Sequence, residues 1–195
     1  DAVRVHPIIT KGGEGVNVVP SEVTMESYTR AKTIEAIDEA NDDVNAALEA
    51  GAMAVGARVE IEDEPGYMPL RQDDTLTAAY EANAQEHLGD DALVTEASHL
   101  TGSTDMGDLT QVVPGIHPWV GGFEGSVHQQ DFAVADEEMA YVLPAKITAC
   151  TIVDLLADPD AIEAIRAAKE GKKTREEYLD DVRRFQGRTV GDYLD

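Results

Sequence analysis

Five histidines (His6, His87, His99, His117 and His128) are the groups in this sequence best suited to metal or proton chemistry near neutral pH. Polar groups concentrate between residues 99 and 128. There, His99 is followed by Gly102-Ser103-Thr104-Asp105-Met106-Gly107-Asp108, then Pro114-Gly115-Ile116-His117-Pro118-Trp119, then His128. Imidazole is a common ligand for borderline divalent cations, and carboxylates complete or orient such a sphere. The competing reading makes each histidine an ordinary surface or hydrogen-bonding residue, and spacing alone leaves both open. His117, between Ile116 and Pro118, reads as a core histidine with satisfied nitrogens rather than a ligand. The sequence holds no HExxH, Gly-x-Ser-x-Gly, Walker or dinucleotide fingerprint, so those chemistries have no foothold. Cys150 is the only cysteine, which excludes an intrachain disulfide and a cysteine-based metal cage.

The elements that must position these groups fall into two parts. Val3–Thr10 is rich in β-branched residues and ends at Gly12-Gly13, and residues 23–28 alternate as a half-buried strand. Ile34, Ile37, Val44, Leu48 and Val55 mark one stripe of a long helix that Gly56 ends, and Arg58–Glu62 alternates as a short strand. Strand, strand, helix, strand is four parts of the six-part β-α-β-β-α-β sandwich. The three strands are expected to form one sheet with a partly uncovered apolar face. Further on, Leu76, Tyr80, Asn83 and His87 trace a helix ended by Gly89, and residues 92–135 read as a long functional loop region. An apolar run over residues 136–156 reads as a buried helix that Pro144 starts or kinks. Asp158-Pro159 opens another helix, and Thr174 with Glu177 forms the capping box of a last one, stopped by Gly187.

Composition narrows the function classes. The 195 residues carry 15 Lys plus Arg against 39 Asp plus Glu, a formal charge of −24. A phosphate backbone is repelled by such a chain, so nucleic acid is not an expected partner. No apolar run is read as approaching the ~20 residues of a membrane span, so no membrane role is expected. The carboxylates are spread along the whole chain, and molar salt would shorten the screening length to about 3 Å and relieve their repulsion. A cytoplasmic, high-salt setting is the expectation.

Two blocks of residues carry a resemblance. Gly12-Gly13, Asn17-Val18-Val19-Pro20 and Arg30 resemble the lid-domain signature of the metallo-amidohydrolase family of aminoacylase, carboxypeptidase G and p-aminobenzoyl-glutamate hydrolase. The stretch Gly102–Asp108, then Val113–Pro118, then His128 resembles the closing part of that family's catalytic domain, its p-aminobenzoyl-glutamate hydrolase branch most of all. The likeness extends over residues 3–157. The resemblance implies an α/β fold, with a partial ferredoxin-like lid or dimerisation domain over residues 1–68. Residues 69–195 would be the C-terminal portion of an α/β dinuclear metallohydrolase catalytic domain.

What the resemblance implies for single residues is specific. His128 matches the family's last metal ligand, although the Thr-Pro that usually follows is Gln129-Gln130 here. Asn17 and Arg30 match lid residues that hold the substrate's carboxylate, a task suited to a guanidinium fork and an amide donor. Ser103, Thr104 and Asp105 would contact substrate or orient ligands. The implied cofactors are two divalent ions (zinc, manganese or cobalt) in the intact enzyme. The implied partners are an N-acyl or aminoacyl amino acid as substrate and a second copy of the chain at the lid. The family's other ligands and its catalytic Glu are expected before residue 1, so no catalytic residue is assigned here. A lone His128 cannot hold two ions, and the chain by itself is expected to be inactive. The alternative is a non-catalytic dimerisation or ligand-binding module from a split or degraded hydrolase gene.

Overall fold

A computed structural model describes residues 3–89 and 103–194; His99 and Gly102 of the polar region lie outside the described residues. The fold mixes helix and strand, as an α/β chain should. It divides into two compact units: one of residues 3–69, 103–105 and 177–194, the other of residues 70–89 and 106–176.

In the first unit, strands β1 (Arg4–Lys11) and β2 (Thr24–Arg30) form an antiparallel hairpin from Arg4 opposite Arg30 to Lys11 opposite Thr24. Helix α1 (Ile34–Val55) starts where the Thr33 hydroxyl accepts from the Ala36 amide. It stops at Gly56, whose φ of 62° is open to glycine at little cost. Strand β3 (Arg58–Asp63) follows. The buried apolar residues of this unit are Ile34, Ile61 and Met68, and Ile37, Val44 and Leu48 of the expected stripe are half-buried. Two amides one helical turn apart fasten α1 to β3: Asn41 and Asn45 donate to the two carboxylate oxygens of Asp63 at 3.0 and 2.9 Å.

The single three-stranded sheet expected from the sequence does not form. β1 and β2 make one two-stranded sheet, and β3 pairs instead with a strand near the end of the chain, residues Gly187–Asp192. That pairing brings Arg188 to Glu60 and within 4.0 Å of Glu62. A short segment with two glycines carries little strand signal of its own, and opposite charges on facing strands supply the missing preference. The β1–β2 hairpin is not half-buried either: Val5, Ile8, Ile9 and Met25 are all exposed, Ile9 at 68%.

In the second unit, α2 (Asp74–Leu88) is capped by the buried Asp73, which accepts from the Leu76 amide. A short helix α3 (Met106–Val112) lies in the region read as irregular. Its fully buried Thr110 accepts from the Arg71 amide and donates to the Gly107 carbonyl. A small hairpin, β4 (Phe123–Glu124) with β5 (Ala133–Val134), leads into a π-helical turn at Glu138–Val142. Three helices follow: α4 (Leu143–Ala157), α5 (Pro159–Glu170) and α6 (Arg175–Arg184), the last of which continues into the first unit; the strand at Gly187–Asp192 is β6. Asp158 caps α5 by accepting from the amides of Asp160 and Ala161, with Pro159 at the first helical position.

The apolar run ending at Leu156 is helical but not buried throughout. Ala140, Ile147 and Thr151 are covered, whereas Ile152, Val153 and Leu156 are exposed, Leu156 at 75%. The continuous helix Glu138–Ala157 is also long and apolar enough, by length and composition, to cross a membrane. That corrects the expectation that no segment reaches such a length. One polar tie joins it to a neighbouring helix: Asn83 of α2 donates to Asp154 at 2.8 Å.

Candidate functional site

His128 sits in the loop between β4 and β5. Its φ is 69°, and among the described residues no other non-glycine has a positive φ. The left-handed region costs an ordinary L residue roughly 1–2 kcal/mol, so this loop holds the imidazole on a strained backbone. Several local features build the loop. The Gln129 amide donates to Ser126, and the Phe132 amide to Gln129. Phe123 stacks on Phe132 with centroids 5.2 Å apart and planes 13° from parallel. Gly122 and Gly125 have φ of 91° and 77°. A Cβ on Gly125 would stand 2.3 Å from the Asp131 carbonyl oxygen, and one on Gly122 would stand 2.6 Å from the Ala140 amide nitrogen. The Gly122 carbonyl accepts from both Ala135 and Asp136, which seats the base of the hairpin on the helix that follows.

The lid candidates lie on the first unit's hairpin. Arg30 ends β2, directly opposite Arg4 on β1, and its guanidinium lies 5.3 Å from the centre of the Tyr28 ring. Two guanidinium-bearing residues facing each other make a locally positive patch in a chain of charge −24. Asn17 is exposed in the loop joining β1 to β2, where the Val18 amide donates to Gly15. That loop leaves the far end of β2 from Arg30, and seven residues of strand span about 20 Å.

Ser103 and Asp105 are exposed and Thr104 half-buried, and the Thr104 hydroxyl lies 3.1 Å from the Asp105 carboxylate. In the second unit, the Val113–Pro118 segment is pinned to residues 72–73. The Asp73 amide donates to Gly115, and the His117 amide donates to the Gln72 side-chain oxygen at 2.8 Å. His117 leans on Trp119, with centroids 6.3 Å apart. Its Nδ1 is buried with no hydrogen-bond partner among the described residues, so it is not the fully satisfied core histidine expected. Lys172 braces the same region by donating to the carbonyls of Arg71 and Thr110 at 2.7 and 3.0 Å. Burial and the neighbouring Arg71 charge hold its ammonium below the usual lysine range. Sequence reasoning missed Lys172 because a lysine just after a helix end reads as solvated.

An acidic cleft of about 390 Å³ in the first unit is lined by Glu62, Asp63, Glu64, Gln186, Gly187 and Arg188. Two of its three carboxylates are already employed, Asp63 by the two asparagines and Glu62 beside Arg188. Among the described residues, no group of three or more His, Cys, Asp or Glu gathers as a metal site would require. The described residues by themselves do not fit a dinuclear centre.

No protein-family model matches the chain. It is 34% identical over 187 residues to a Xaa-Arg dipeptidase of Mus musculus, an alignment covering 90% of this chain and 42% of that protein. It is 31% identical over 189 residues to a Xaa-Arg dipeptidase of Homo sapiens, covering 92% of this chain and 43% of that one. An uncharacterized hydrolase of Sinorhizobium fredii is 28% identical over 130 residues, 65% of this chain and 32% of that protein. These relatives support a peptidase or hydrolase family. The chain spans less than half the length of each of them. Both alignments to the dipeptidases run through nearly the whole chain.

Proposed function

We propose that this sequence is the lid-and-closing portion of a metal-dependent amidohydrolase that cleaves the amide bond of an aminoacyl or N-acyl amino acid with a free carboxylate. The observation that carries the reading is the 34% identity to a Xaa-Arg dipeptidase across 90% of the chain. An aminoacyl-arginine dipeptide belongs to that substrate class, as does p-aminobenzoyl-glutamate.

In this reading Arg30 grips the substrate carboxylate through its two-pronged fork, in the positive patch it shares with Arg4. Asn17 donates its amide to an oxygen beside that carboxylate. Because the hairpin is exposed on both faces and both of its edges lack a further strand among the described residues, a second copy of the lid is the proposed neighbour. Ser103, Thr104 and Asp105 contact substrate or orient ligands. His128 supplies one imidazole to a centre of two divalent ions, zinc, manganese or cobalt. Such ions polarise a carbonyl and activate water in hydrolases generally. The remaining donors and the general base are not among the described residues, so no chemical step is assigned to this chain. The proposed setting is a high-salt cytoplasm.

The test is an assay of the longer protein containing this sequence, after chelation and after add-back of each metal. Aminoacyl-arginine dipeptides, N-acyl amino acids and p-aminobenzoyl-glutamate are offered in parallel. Metal-restored cleavage of one class supports the reading and names the substrate. Substrate binding without cleavage under every metal would instead make this a non-catalytic binding module.

A further inference from the structure

We infer that the edge of β3 paired with β6 is an acceptor for an extended polypeptide segment, and that β6 is an exchangeable strap laid over it, held by its backbone ladder and by charge. The partner that fits is a strand with β-branched side chains on its helix-facing side and a cation on its outer side. The edge has this character whether or not the chain takes part in hydrolysis.

The register sets Gly187, Thr189 and Gly191 of β6 opposite Asp63, Ile61 and Val59. Facing residues of an antiparallel pair share one side of the sheet. On that side Ile61 is buried and Asp63 meets Asn41 and Asn45 of α1. β6 therefore turns two glycines and a threonine toward the helix and buries no apolar side chain there. Its one large apolar residue, Val190, lies on the other side opposite Glu60 and is exposed. Such a strand forgoes the main favourable term of folding, and its glycines weaken it further. On the outer side Arg188 pairs with Glu60 and reaches Glu62 at 4.0 Å, all three side chains being exposed. Ion pairs in solvent are worth little and are screened by salt.

Room for a better-filled strand is present. The acidic cleft opens where the ladder begins, beside Asp63 and Gly187. A Cβ on Gly187 would lie 3.6 Å from an Asp63 carboxylate oxygen, an ordinary contact, so this position takes a side chain. At Gly191 the Tyr193 ring stands 2.8 Å from where a Cβ would be, so the tail covers its own gap there. Glu60 and Glu62 on the outer side call for a facing cation. Strand addition of this kind draws affinity from the main chain and selectivity from alternate side chains.

The test uses the full chain, read by amide hydrogen exchange and by titration of its amide resonances. The β6 amides should exchange roughly tenfold or more faster than those in the middle of α1, as a segment that opens on its own does. Equal protection overturns the strap. Arg188→Gln should speed β6 exchange about threefold further and leave α1 unchanged; an unchanged β6 rate overturns the fastening by charge. The probe is a synthetic peptide of residues 186–194 carrying Gly187→Val and Thr189→Val. It should shift the β3 amides saturably while the β6 amides lose protection. With Arg188→Glu added, the peptide should bind about tenfold more weakly or worse, since like charges then face each other. No binding, or binding with β6 still protected, overturns the acceptor edge. Self-association in which β6 passes between copies would make a second copy the occupant and overturn a separate partner.

Discussion

Phe123 and Phe132 stack face to face at 5.2 Å across a hairpin whose strands are only two residues each. The ring contact adds to the backbone hydrogen bonds that Gly122 accepts from Ala135 and Asp136 at the base of the hairpin. Phe132→Ala should lower Tm by about 3–8 °C, within the range for a lost aromatic contact that is partly exposed. Thermal denaturation followed by far-UV circular dichroism measures it.

Arg30→Ala in the assembled enzyme should raise KM for a carboxylate-bearing substrate roughly tenfold to a hundredfold, the worth of charge-assisted hydrogen bonds. Bound metal should stay constant, because Arg30 holds substrate rather than ion. Arg30→Lys should recover only part of the loss, since a point charge does not reproduce the fork. Steady-state kinetics with metal analysis decides this, and unchanged kinetics would remove Arg30 from the role.

Asp63 collects amides from Asn41 and Asn45 on successive turns of α1. Asp63→Ala should cost about 1–3 kcal/mol, because two side-chain donors lose their acceptor at a partly buried contact. Asn45→Ala alone should cost about half as much, with the Asn41 bond left in place. Urea denaturation of the native chain and both variants tests the ordering.

Glu22 sits beside Lys11, whose hydrogen bond and charge hold its carboxyl below the ordinary value of 4.5. A depressed carboxyl pKa stabilises the folded chain above the unfolded value, and that contribution is lost as pH falls through the lower, folded one. Lys11→Met should return the Glu22 titration to its ordinary range, measured by carboxyl carbon shifts against pH.

A charge of −24 predicts a salt requirement. Raising potassium chloride from low concentration to molar should lift Tm by more than about 5 °C, since screening shortens to ~3 Å. A Tm indifferent to salt would place the chain among ordinary acidic proteins.

Much of the fold was legible because the signals were local. Gly56 ends α1, and Asp158 with Pro159 opens α5, as their types require. A cap acts within four residues of itself, so no distant part of the chain can change its meaning. The motif residues were legible as types, with Arg30 and Asn17 on one hairpin and His128 in a loop.

Tertiary structure decided the rest. The partner of β3 is β6, so that Arg188 meets Glu60 from 128 residues away. Periodicity reports which face of a strand is apolar, and says nothing about which edge it will find. The same limit explains Ile152, Val153 and Leu156, whose exposure depends on what packs beside α4. The left-handed backbone of His128 is the sharpest case. It follows two glycines of positive φ in the β4–β5 segment, a conformation that no periodic pattern in the sequence announces.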